Sequence, residues 1–444
     1  MARFARPAIC RCFAINFEQF DEEIGETGRN GISPGTGQDS RYQTERRMKK
    51  QIRDLCPASS QGHEAVPSGS RPSIHPAVVY PCQSVDEANR IQDGLEQGFV
   101  YQRNGHPNAA ALAARCRELH GADAAVVTST GMSAMALAMV ASLKHGDHVI
   151  LSSQLYGKSS VLFIGEASRL GITHSIVDTC DLKATAQAMT ATTKLLVCET
   201  ISNPTLRVCD IGGLSRLAHR NGALLMVDNT FASPVVCRPL EWGADMVLES
   251  MTKIMNGHSD AMLGLLCGKS SAWSRVESAL VTWGWTTSPF DCWLVDRGMG
   301  TLHLRVVAAS RTAERVAKFL SGHRRVASVF YPGLESHPDH ALAAKQFDVE
   351  QTTLFGHMLS FEIRGRDDIG AKFISKLARI QFCASLGELA TTVSHPASTS
   401  HRNLNRESQA ALGISGGTIR LSVGLESPEF VESELANALD TLDD

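Results

Sequence analysis

Residues 223–253 read ALLMVDNTFASPVVCRPLEWGADMVLESMTK, and this stretch is the clearest indication of the fold. An apolar run at 223–227 ends in Asp228, and a second apolar run at 246–248 is followed closely by Lys253. Short apolar runs of this kind, bounded by polar and turn-forming residues, predict buried strands. Both ionisable side chains therefore follow the ends of predicted strands.

The same alternation extends along the chain. Further apolar runs predict strands at 124–127, 147–151, 173–177 and 194–198. Apolar residues at helical spacing predict helices at 112–119, 132–143 and 211–220. Strands and helices that alternate in this way predict an α/β fold with a mostly parallel sheet covered by helices on both faces. Ligands of such sheets bind at the carboxyl ends of the strands, where we expect the chemistry.

Three segments of different character suggest the domain organisation. Within residues 1–72, Gly, Ser, Arg, Gln and Pro predominate in two stretches without sustained periodicity, so we expect a flexible N-terminal extension. Residues 73–322 should form an N-terminal arm and a large domain that ends in a long helical pattern at 291–322. Residues 323–444 should form a smaller C-terminal α/β domain. Its predicted strands are at 327–331, 358–363 and 418–423, and its predicted helices are at 341–346, 369–378 and 428–439.

The composition narrows the class of protein. Hydrophobic residues make up 43% and charged residues 20% of the 444-residue chain, which is normal for a soluble globular protein. A formal net charge of −3 gives no field that would attract nucleic acid or an anionic membrane surface. No apolar stretch approaches the roughly 18–20 residues of a spanning helix. The 12 cysteines are scattered without metal-ligand spacing, so we expect no metal site and a cytoplasmic location.

Lys253 and Asp228 indicate a specific chemistry when they are considered together. A desolvated lysine amine at a strand end has a lowered pKa and can attack an aldehyde. A buried carboxylate can keep a pyridine nitrogen protonated, which makes the ring an electron sink. Each residue alone also has an ordinary explanation, as a solvated surface lysine or as an aspartate that forms a turn or caps a helix.

A third feature follows the predicted strand at 124–127. The segment STGM at 129–132 places small residues at a strand-to-helix turn, where backbone N–H groups and hydroxyls can bind a phosphate. Ser250 and Thr252 add hydroxyls from the turn that carries Lys253. Turns of this composition also occur simply to cap helices.

Together these residues resemble the Cys/Met-metabolism, or transsulfuration, family of pyridoxal 5′-phosphate (PLP) enzymes, from about residue 73 to the C-terminus. The order and spacing of several motifs carry the resemblance. The motifs are YQR at 101–103, STGM at 129–132, LYG at 155–157, ETISNP at 199–204, VDNTF at 227–231, SMTK at 250–253 with GH at 257–258, SLG at 385–387, HPAS at 395–398 and RLSVG at 420–424. The resemblance implies a PLP-transferase type I fold, with a seven-stranded, mostly parallel sheet between helices and a smaller C-terminal α/β domain.

The resemblance also implies roles for individual residues. Lys253 is similar to the lysine that holds PLP as a Schiff base, Asp228 to the partner of the pyridine nitrogen, and Tyr156 to the ring that stacks on the cofactor and assists the leaving group. The resemblance implies that the cofactor phosphate is bound by Gly131, Met132, Ser250 and Thr252. The phosphate in the neighbouring subunit would be contacted by Tyr101 and Arg103. The substrate carboxylate or the cofactor ring would be held by Asn203, Ser385 and Arg420. The resemblance further implies that each active site needs two chains and that the assembly is a homotetramer of two such dimers.

The implied activity is γ-replacement or γ-elimination on a homoserine-derived or sulfur amino acid, of the cystathionine γ-synthase or γ-lyase type. Alternatives are an O-acylhomoserine sulfhydrylase, a methionine γ-lyase-like C–S lyase, and a PLP-binding scaffold without catalysis. Lys158 replaces the cysteine typical of methionine γ-lyases, and Leu386 replaces the tryptophan of bacterial cystathionine β-lyases. Glu388 and Ala390 depart from the family pattern in a region linked with cystathionine recognition.

Overall fold

A computed structural model describes residues 51–56, 72–402 and 404–442 of the chain. Most of the predicted N-terminal extension lies outside the described residues. Within it, the helix α1 (Ile52–Leu55) is present, and Ile52 is buried and donates its backbone N–H to Oε1 of Glu350 at 2.9 Å. This short part of the extension therefore packs against the folded protein.

Seven strands form the first sheet. They are β1 (Ala124–Thr128), β2 (His148–Ser152), β3 (Thr173–Val177), β4 (Thr193–Glu199), β5 (Leu224–Asp228), β6 (Met246–Ser250) and β7 (Gly264–Gly268). Their order across the sheet is β1-β7-β6-β5-β4-β2-β3, and within this sheet β7 alone runs antiparallel to its neighbours. The prediction of a mostly parallel sheet is therefore confirmed.

The sequence pattern does not predict β7, because glycines bound a run of only three apolar residues. A Cβ at Gly264 would lie 2.2 Å from the carbonyl oxygen of Thr130, and one at Gly268 would lie 2.4 Å from that of Asp245. These close backbone approaches require glycine, so the residues that weaken the strand signal are the ones that the packing needs.

Helices cover both faces of this sheet. The helices that follow α1 are α2 (Val85–Gln92), α3 (Pro107–His120), α4 (Gly131–Ser142), α5 (Gly157–Val161), which continues as a π-helix at Leu162–Ala167, α6 (Leu182–Ala188), α7 (Ile211–Arg220), α8 (Ser233–Val236), α9 (Val276–Trp283), α10 (Pro289–Met299), α11 (Leu302–Ser321), α12 (His340–Gln346), α13 (Ile369–Lys376), α14 (Arg406–Ala411) and α15 (Pro428–Asp440). Alternate residues of β5 face opposite sides, since Val227 belongs to one buried apolar cluster and Met226 to another. Burial on both faces explains why these strands are continuously apolar.

The helical pattern predicted at 291–322 consists of two helices, α10 and α11, and the break lies at Gly300 and Thr301. Nη2 of Arg305 donates a hydrogen bond to the backbone carbonyl of Gly298 at 3.1 Å. The same carbonyl also accepts the backbone N–H of Thr301 at 3.3 Å, so the end of α10 is joined by hydrogen bonds to the start of the next helix. The apolar periodicity continues across the break and does not reveal it.

The second sheet contains five strands. The remaining strands of the chain are β8 (Val326–Phe330), β9 (Asp348–Val349), β10 (Thr352–Thr353), β11 (Met358–Ile363), β12 (Gln381–Phe382), β13 (Thr392–Ser394) and β14 (Thr418–Ser422). Of these, β9 and β10 form a separate ladder, and the others have the order β12-β13-β14-β11-β8. Strands β8, β11 and β14 confirm the three runs predicted from the sequence. In the described parts of the chain, no helix is both long and apolar enough to cross a bilayer.

Candidate active site

A cavity of about 480 Å³ opens at the carboxyl ends of β4, β5 and β6. The first turn of α4 forms part of its wall, and residues of β14 and of the segment 384–402 close it from the side of the second sheet. Predicted site residues that line it are Gly131, Met132, Tyr156, Asn203, Asp228, Ser250, Thr252, Lys253 and Arg420. The cavity lies where ligands of parallel α/β sheets bind.

Lys253 follows β6 and is partly buried. Its Nζ donates a hydrogen bond to Oγ of Ser385 at 3.0 Å, so a residue 132 positions away helps to hold the amine. Burial lowers the pKa of Lys253, and the nearby guanidinium of Arg420 lowers it further. A lowered pKa increases the fraction of uncharged, nucleophilic amine. These surroundings differ from those of a solvated surface lysine.

Asp228 ends β5 and lies beside Glu199 at the end of β4, because the two residues are paired in the parallel ladder. Oδ1 of Asp228 accepts hydrogen bonds from the backbone N–H of Thr230 at 3.0 Å and from its hydroxyl at 2.5 Å. Burial raises the pKa of both carboxyl groups, and Asp228 raises that of Glu199 further. Since the donors from Thr230 favour the ionised form of Asp228, we place the negative charge on Asp228 and the proton on Glu199.

Glu199 lines the cavity, although the sequence suggested no role for it. Its side chain is buried, and Oε1 accepts the backbone N–H of Tyr156 at 2.7 Å. This hydrogen bond ties the end of β4 to the turn before α5, which carries the Tyr156 ring. Glu199 directly follows an apolar run, as Asp228 does, and this position is the signal by which it could have been found.

The start of α4 forms a cradle beside the turn after β6. The helix begins at Gly131, and Oγ1 of Thr130 caps it by accepting the backbone N–H of Ser133 at 2.9 Å. A Cβ on Gly131 would lie 2.8 Å from Cβ of Ser250, so glycine allows the helix and the turn to touch. The backbone N–H groups of a first helical turn, including that of Met132, lack partners within the helix. They can bind a phosphate, so the cradle fits that group of PLP.

Ser250 and Thr252 line the cavity beside this cradle. The backbone N–H of Ser250 donates to Oγ1 of Thr230 at 2.9 Å, which fixes the end of β6 against the loop after β5. The hydroxyl of Thr252 donates to the carbonyl of Leu263 at 3.3 Å. The Ser250 hydroxyl therefore can donate to a phosphate, whereas that of Thr252 already has an internal acceptor.

Arg420 reaches the cavity from β14. Its Nη1 donates to Oδ1 of Asn203 at 2.9 Å, and its Nη2 donates to the backbone carbonyl of Ser385 at 3.1 Å. Nε is buried and has no partner among the described residues. Burial lowers the pKa of Arg420 to about 10, which leaves it a cation at neutral pH. Because these partners are neutral, neither balances the positive charge of the guanidinium, and the carboxylate of a substrate can do so.

Tyr156 and the pair formed by Tyr101 and Arg103 lie in different places. Tyr156 lines the cavity, and 42% of it is exposed. Tyr101 and Arg103 do not belong to the cavity lining. The Arg103 guanidinium lies 5.6 Å from the centre of the Tyr101 ring, which is 41% exposed. One chain therefore brings together all the predicted site residues except these two.

A loop from the second sheet also contributes to the lining. Ser398, Thr399, Ser400 and Arg402 all line the cavity. Only Ser398 belongs to a motif noted in the sequence. Nothing in the local pattern indicates that Arg402 reaches the same cavity as Lys253, because the second sheet places it there.

Comparisons with known proteins agree with this site. The family model of the Cys/Met metabolism PLP-dependent enzymes matches residues 58–440. The chain is 37% identical over 372 residues to an L-methionine gamma-lyase of Porphyromonas gingivalis, covering 83% of this chain and 92% of that protein. It is 38% identical over 360 residues to an O-succinylhomoserine sulfhydrylase of Pseudomonas aeruginosa, covering 81% of this chain and 88% of that protein. A crystal structure of cystathionine gamma synthase from Xanthomonas oryzae pv. oryzae in complex with cystathionine has a TM-score of 0.82 and 34% identity, covering 88% of this chain and 100% of that chain.

Proposed function

The chain belongs to the Cys/Met metabolism family of PLP-dependent enzymes, and from this membership we propose that it catalyses γ-replacement or γ-elimination on a homoserine-derived or sulfur-containing amino acid. The observation that carries the proposal is that Lys253, Asp228 and Arg420 line one cavity. An amine, a carboxylate for a ring nitrogen and a cation for a substrate carboxylate are what this chemistry needs.

The cofactor is held by residues at three strand and helix ends. When bound, PLP supplies an aldehyde for amines and a ring that accepts electron density from the substrate Cα. Lys253 holds it through its amine, and Asp228 keeps a proton at the ring nitrogen. Gly131 and Met132 bind the phosphate through their backbone N–H groups, and Ser250 and Thr252 flank it with their hydroxyls.

The substrate is bound and deprotonated by groups from both sheets. Arg420, held by Asn203, binds the α-carboxylate. With the cofactor bound, the amine of Lys253 would remove the Cα proton of the substrate, and its lowered pKa leaves it able to act as a base. Ser385 accepts a hydrogen bond from the same amine and keeps it oriented. Tyr156 lines the cavity where it can assist the departing γ-substituent.

The bond changes follow from this arrangement. In γ-replacement, the bond from Cγ to the acyl oxygen breaks, and a bond from Cγ to the sulfur of a thiol forms. The thiol proton is lost to a base, and the acyl group leaves as a carboxylate. In γ-elimination the bond from Cγ to its substituent also breaks, and the substituent leaves with a proton. No thiol adds, and water hydrolyses the remaining unsaturated amino acid to a 2-oxo acid and ammonia.

A second candidate is an O-acylhomoserine sulfhydrylase, which would use sulfide in place of cysteine. The identity of 38% to the Pseudomonas aeruginosa sulfhydrylase favours it. A methionine γ-lyase activity receives support from the 37% identity to the Porphyromonas gingivalis enzyme, whereas Lys158 weighs against it.

We extend the proposal to the assembly, which would be a cytoplasmic homotetramer of two dimers. Tyr101 and Arg103 would bind the cofactor phosphate of the partner subunit. Two facts support this role: neither residue lines the cavity of its own chain, and Tyr101 is 41% exposed. Each active site would then be complete only in the dimer.

Lys253→Ala tests the proposal. Purified wild-type protein with PLP should turn over at least one of three substrate sets: acylhomoserine with cysteine, acylhomoserine with sulfide, or cystathionine alone. Lys253→Ala should lose this turnover and the visible absorbance of the lysine-bound cofactor. Lys376→Ala, which removes an exposed lysine at the end of α13, should keep both. Retention of turnover and absorbance by Lys253→Ala would refute the role of Lys253.

A further inference from the structure

The cavity lining carries more positive charge than the proposed chemistry uses. Its basic side chains are Lys253, Arg402 and Arg420, and its acidic side chains are Glu199 and Asp228. Lys253 and Arg420 already have roles, and both acids accept hydrogen bonds at the ends of β4 and β5. Arg402 is exposed, and among the described residues it has neither an ion pair nor a hydrogen bond. It is therefore the one cation of the described lining without an assigned partner.

The loop that carries Arg402 is held in place from both sides. Nε2 of Gln409 donates to the carbonyls of Ala397 at 3.1 Å and His401 at 2.9 Å. On the other side, the carbonyl oxygen of Ser400 lies 3.3 Å from where a Cβ on Gly157 would be. The loop thus packs on the turn directly after Tyr156, and Arg402 lines the same cavity as Tyr156, the residue proposed to assist the departing group.

The cavity lining also includes neutral side chains with hydroxyl groups. Ser159, Thr399 and Ser400 line the cavity together with Arg402, and none of them carries charge. The hydroxyl of Thr399 already donates to the backbone carbonyl of His395 at 2.8 Å, and that of Ser400 pairs with Nδ1 of His401 at 2.8 Å. The guanidinium of Arg402 therefore supplies both the charge and the directional donors that this loop offers a carboxylate. The cradle for the cofactor phosphate is built separately, from α4 and the turn after β6. Arg402 therefore has no need to serve the phosphate.

We propose that Arg402 forms a subsite for a second carboxylate at the γ-side of the substrate. This inference rests on the proposed function and specifies its substrate class. The preferred donor is a homoserine esterified with a dicarboxylic acid, whose α-carboxylate binds Arg420 and whose distal carboxylate binds Arg402. A monocarboxylic ester offers Arg402 no charge, and neither does a methyl thioether.

The same distal carboxylate could come from two sources. One is the acyl group of the donor, and the other is the amino-acid half of a thioether such as cystathionine. Both place a carboxylate several bonds beyond Cγ, but they differ in that the acyl group is absent from cystathionine. Separate assays with each compound therefore distinguish the two sources.

The experiment compares wild type with Arg402→Gln, Arg402→Lys and the control Arg406→Gln. Arg406 is an exposed arginine that pairs with Asp367 and does not line the cavity, so its replacement removes the same charge nearby. For each protein, kcat/KM is measured with cysteine and either O-succinylhomoserine or O-acetylhomoserine, and with cystathionine alone. Binding of succinate and of PLP is measured separately by calorimetry and by absorbance.

Arg402→Gln should lower kcat/KM for O-succinylhomoserine about tenfold, as expected for loss of a charged hydrogen bond. The value for O-acetylhomoserine should change less than about twofold, and the effect on the succinyl donor should appear mainly in KM. Arg402→Lys should recover part of the loss, and Arg406→Gln should behave as wild type. Succinate should bind Arg402→Gln more weakly, and PLP should bind it as it binds wild type.

Three results would overturn the subsite. One is an equal loss for both donors in Arg402→Gln, a second is an equal loss in Arg406→Gln, and a third is weaker PLP binding by Arg402→Gln. A loss confined to cystathionine would also overturn the acyl assignment, since the carboxylate would then come from the amino-acid half. If wild type processes none of the compounds, the proposed function itself fails. Succinate binding would then still report on Arg402.

Discussion

Replacing Gly131 with alanine should weaken PLP binding while the fold persists. A Cβ at this position would lie 2.8 Å from Cβ, 3.0 Å from Oγ and 3.1 Å from Cα of Ser250. Rotation of the Ser250 side chain could move Oγ away, but Cβ and Cα are fixed to β6. The first turn of α4 would therefore have to shift away from the turn after β6, and both contribute to the phosphate cradle.

The distances set the size of the effect. Inserting an extra methyl group where atoms are already in van der Waals contact typically costs about 1–3 kcal/mol of free energy. If the cost falls on the bound state, in which α4 and β6 must hold one phosphate together, the dissociation constant of PLP rises roughly 5- to 150-fold. A shift of α4 could also lower kcat, because Lys253 and the phosphate would no longer be correctly spaced.

The assay titrates apoprotein with PLP and follows the visible absorbance of the bound cofactor. Gly165→Ala is the matched control, since Gly165 is exposed and a Cβ there would meet no atom within 4 Å. It should bind PLP as wild type does. A Gly131→Ala protein with the wild-type dissociation constant would show that the cradle tolerates a side chain, and the assignment of the phosphate to this position would be wrong.

Two further predictions concern the carboxyl pair and the arginine. Burial and Asp228 raise the pKa of Glu199 in the folded protein above its value of about 4.3 in the unfolded chain. Protonated Glu199 therefore makes its full contribution to the free energy of unfolding below about pH 4.3, and this contribution is lost as the pH rises through the raised pKa. Glu199→Gln cannot ionise, so the melting temperature of this variant minus that of wild-type apoprotein should increase between about pH 5 and about pH 8. Calorimetry that finds the same difference at both pH values would contradict this. Arg420→Lys keeps the charge but loses the planar contacts to Asn203 and Ser385, so KM for an acylhomoserine should rise roughly 10- to 100-fold with a smaller change in kcat. A fall in kcat alone would show that Arg420 does not bind the substrate.

Several site residues could be predicted because they follow apolar strands. Asp228 and Lys253 come after β5 and β6, and the segment 129–132 comes after β1, so a parallel arrangement alone places them at one edge of the sheet. Glu199 satisfies the same rule at the end of β4. It could have been included on that ground.

Other contacts depend on chain segments that are distant in sequence. Arg420 and Asn203 are 217 positions apart, and Lys253 and Ser385 are 132 apart, so no local pattern predicts that their atoms meet. The predicted role of Arg420 came from a family resemblance, and Arg402, which lies outside the recognised motifs, had no signal at all.

The sequence by itself determined the strand-and-helix alternation, the edge of the sheet where the chemistry lies, and the pairing of a lysine with an aspartate. Periodicity and strand ends are local properties, so a single chain segment is enough to show them. Only the tertiary structure decided the antiparallel position of β7, the partners of Lys253 and Arg420, and the arrival of Arg402 in the cavity. Strand β7 is placed by close backbone approaches within the first sheet, whereas the contacts of Lys253, Arg420 and Arg402 depend on how the second sheet docks on the first. Both are set by the packing of residues that are distant in sequence.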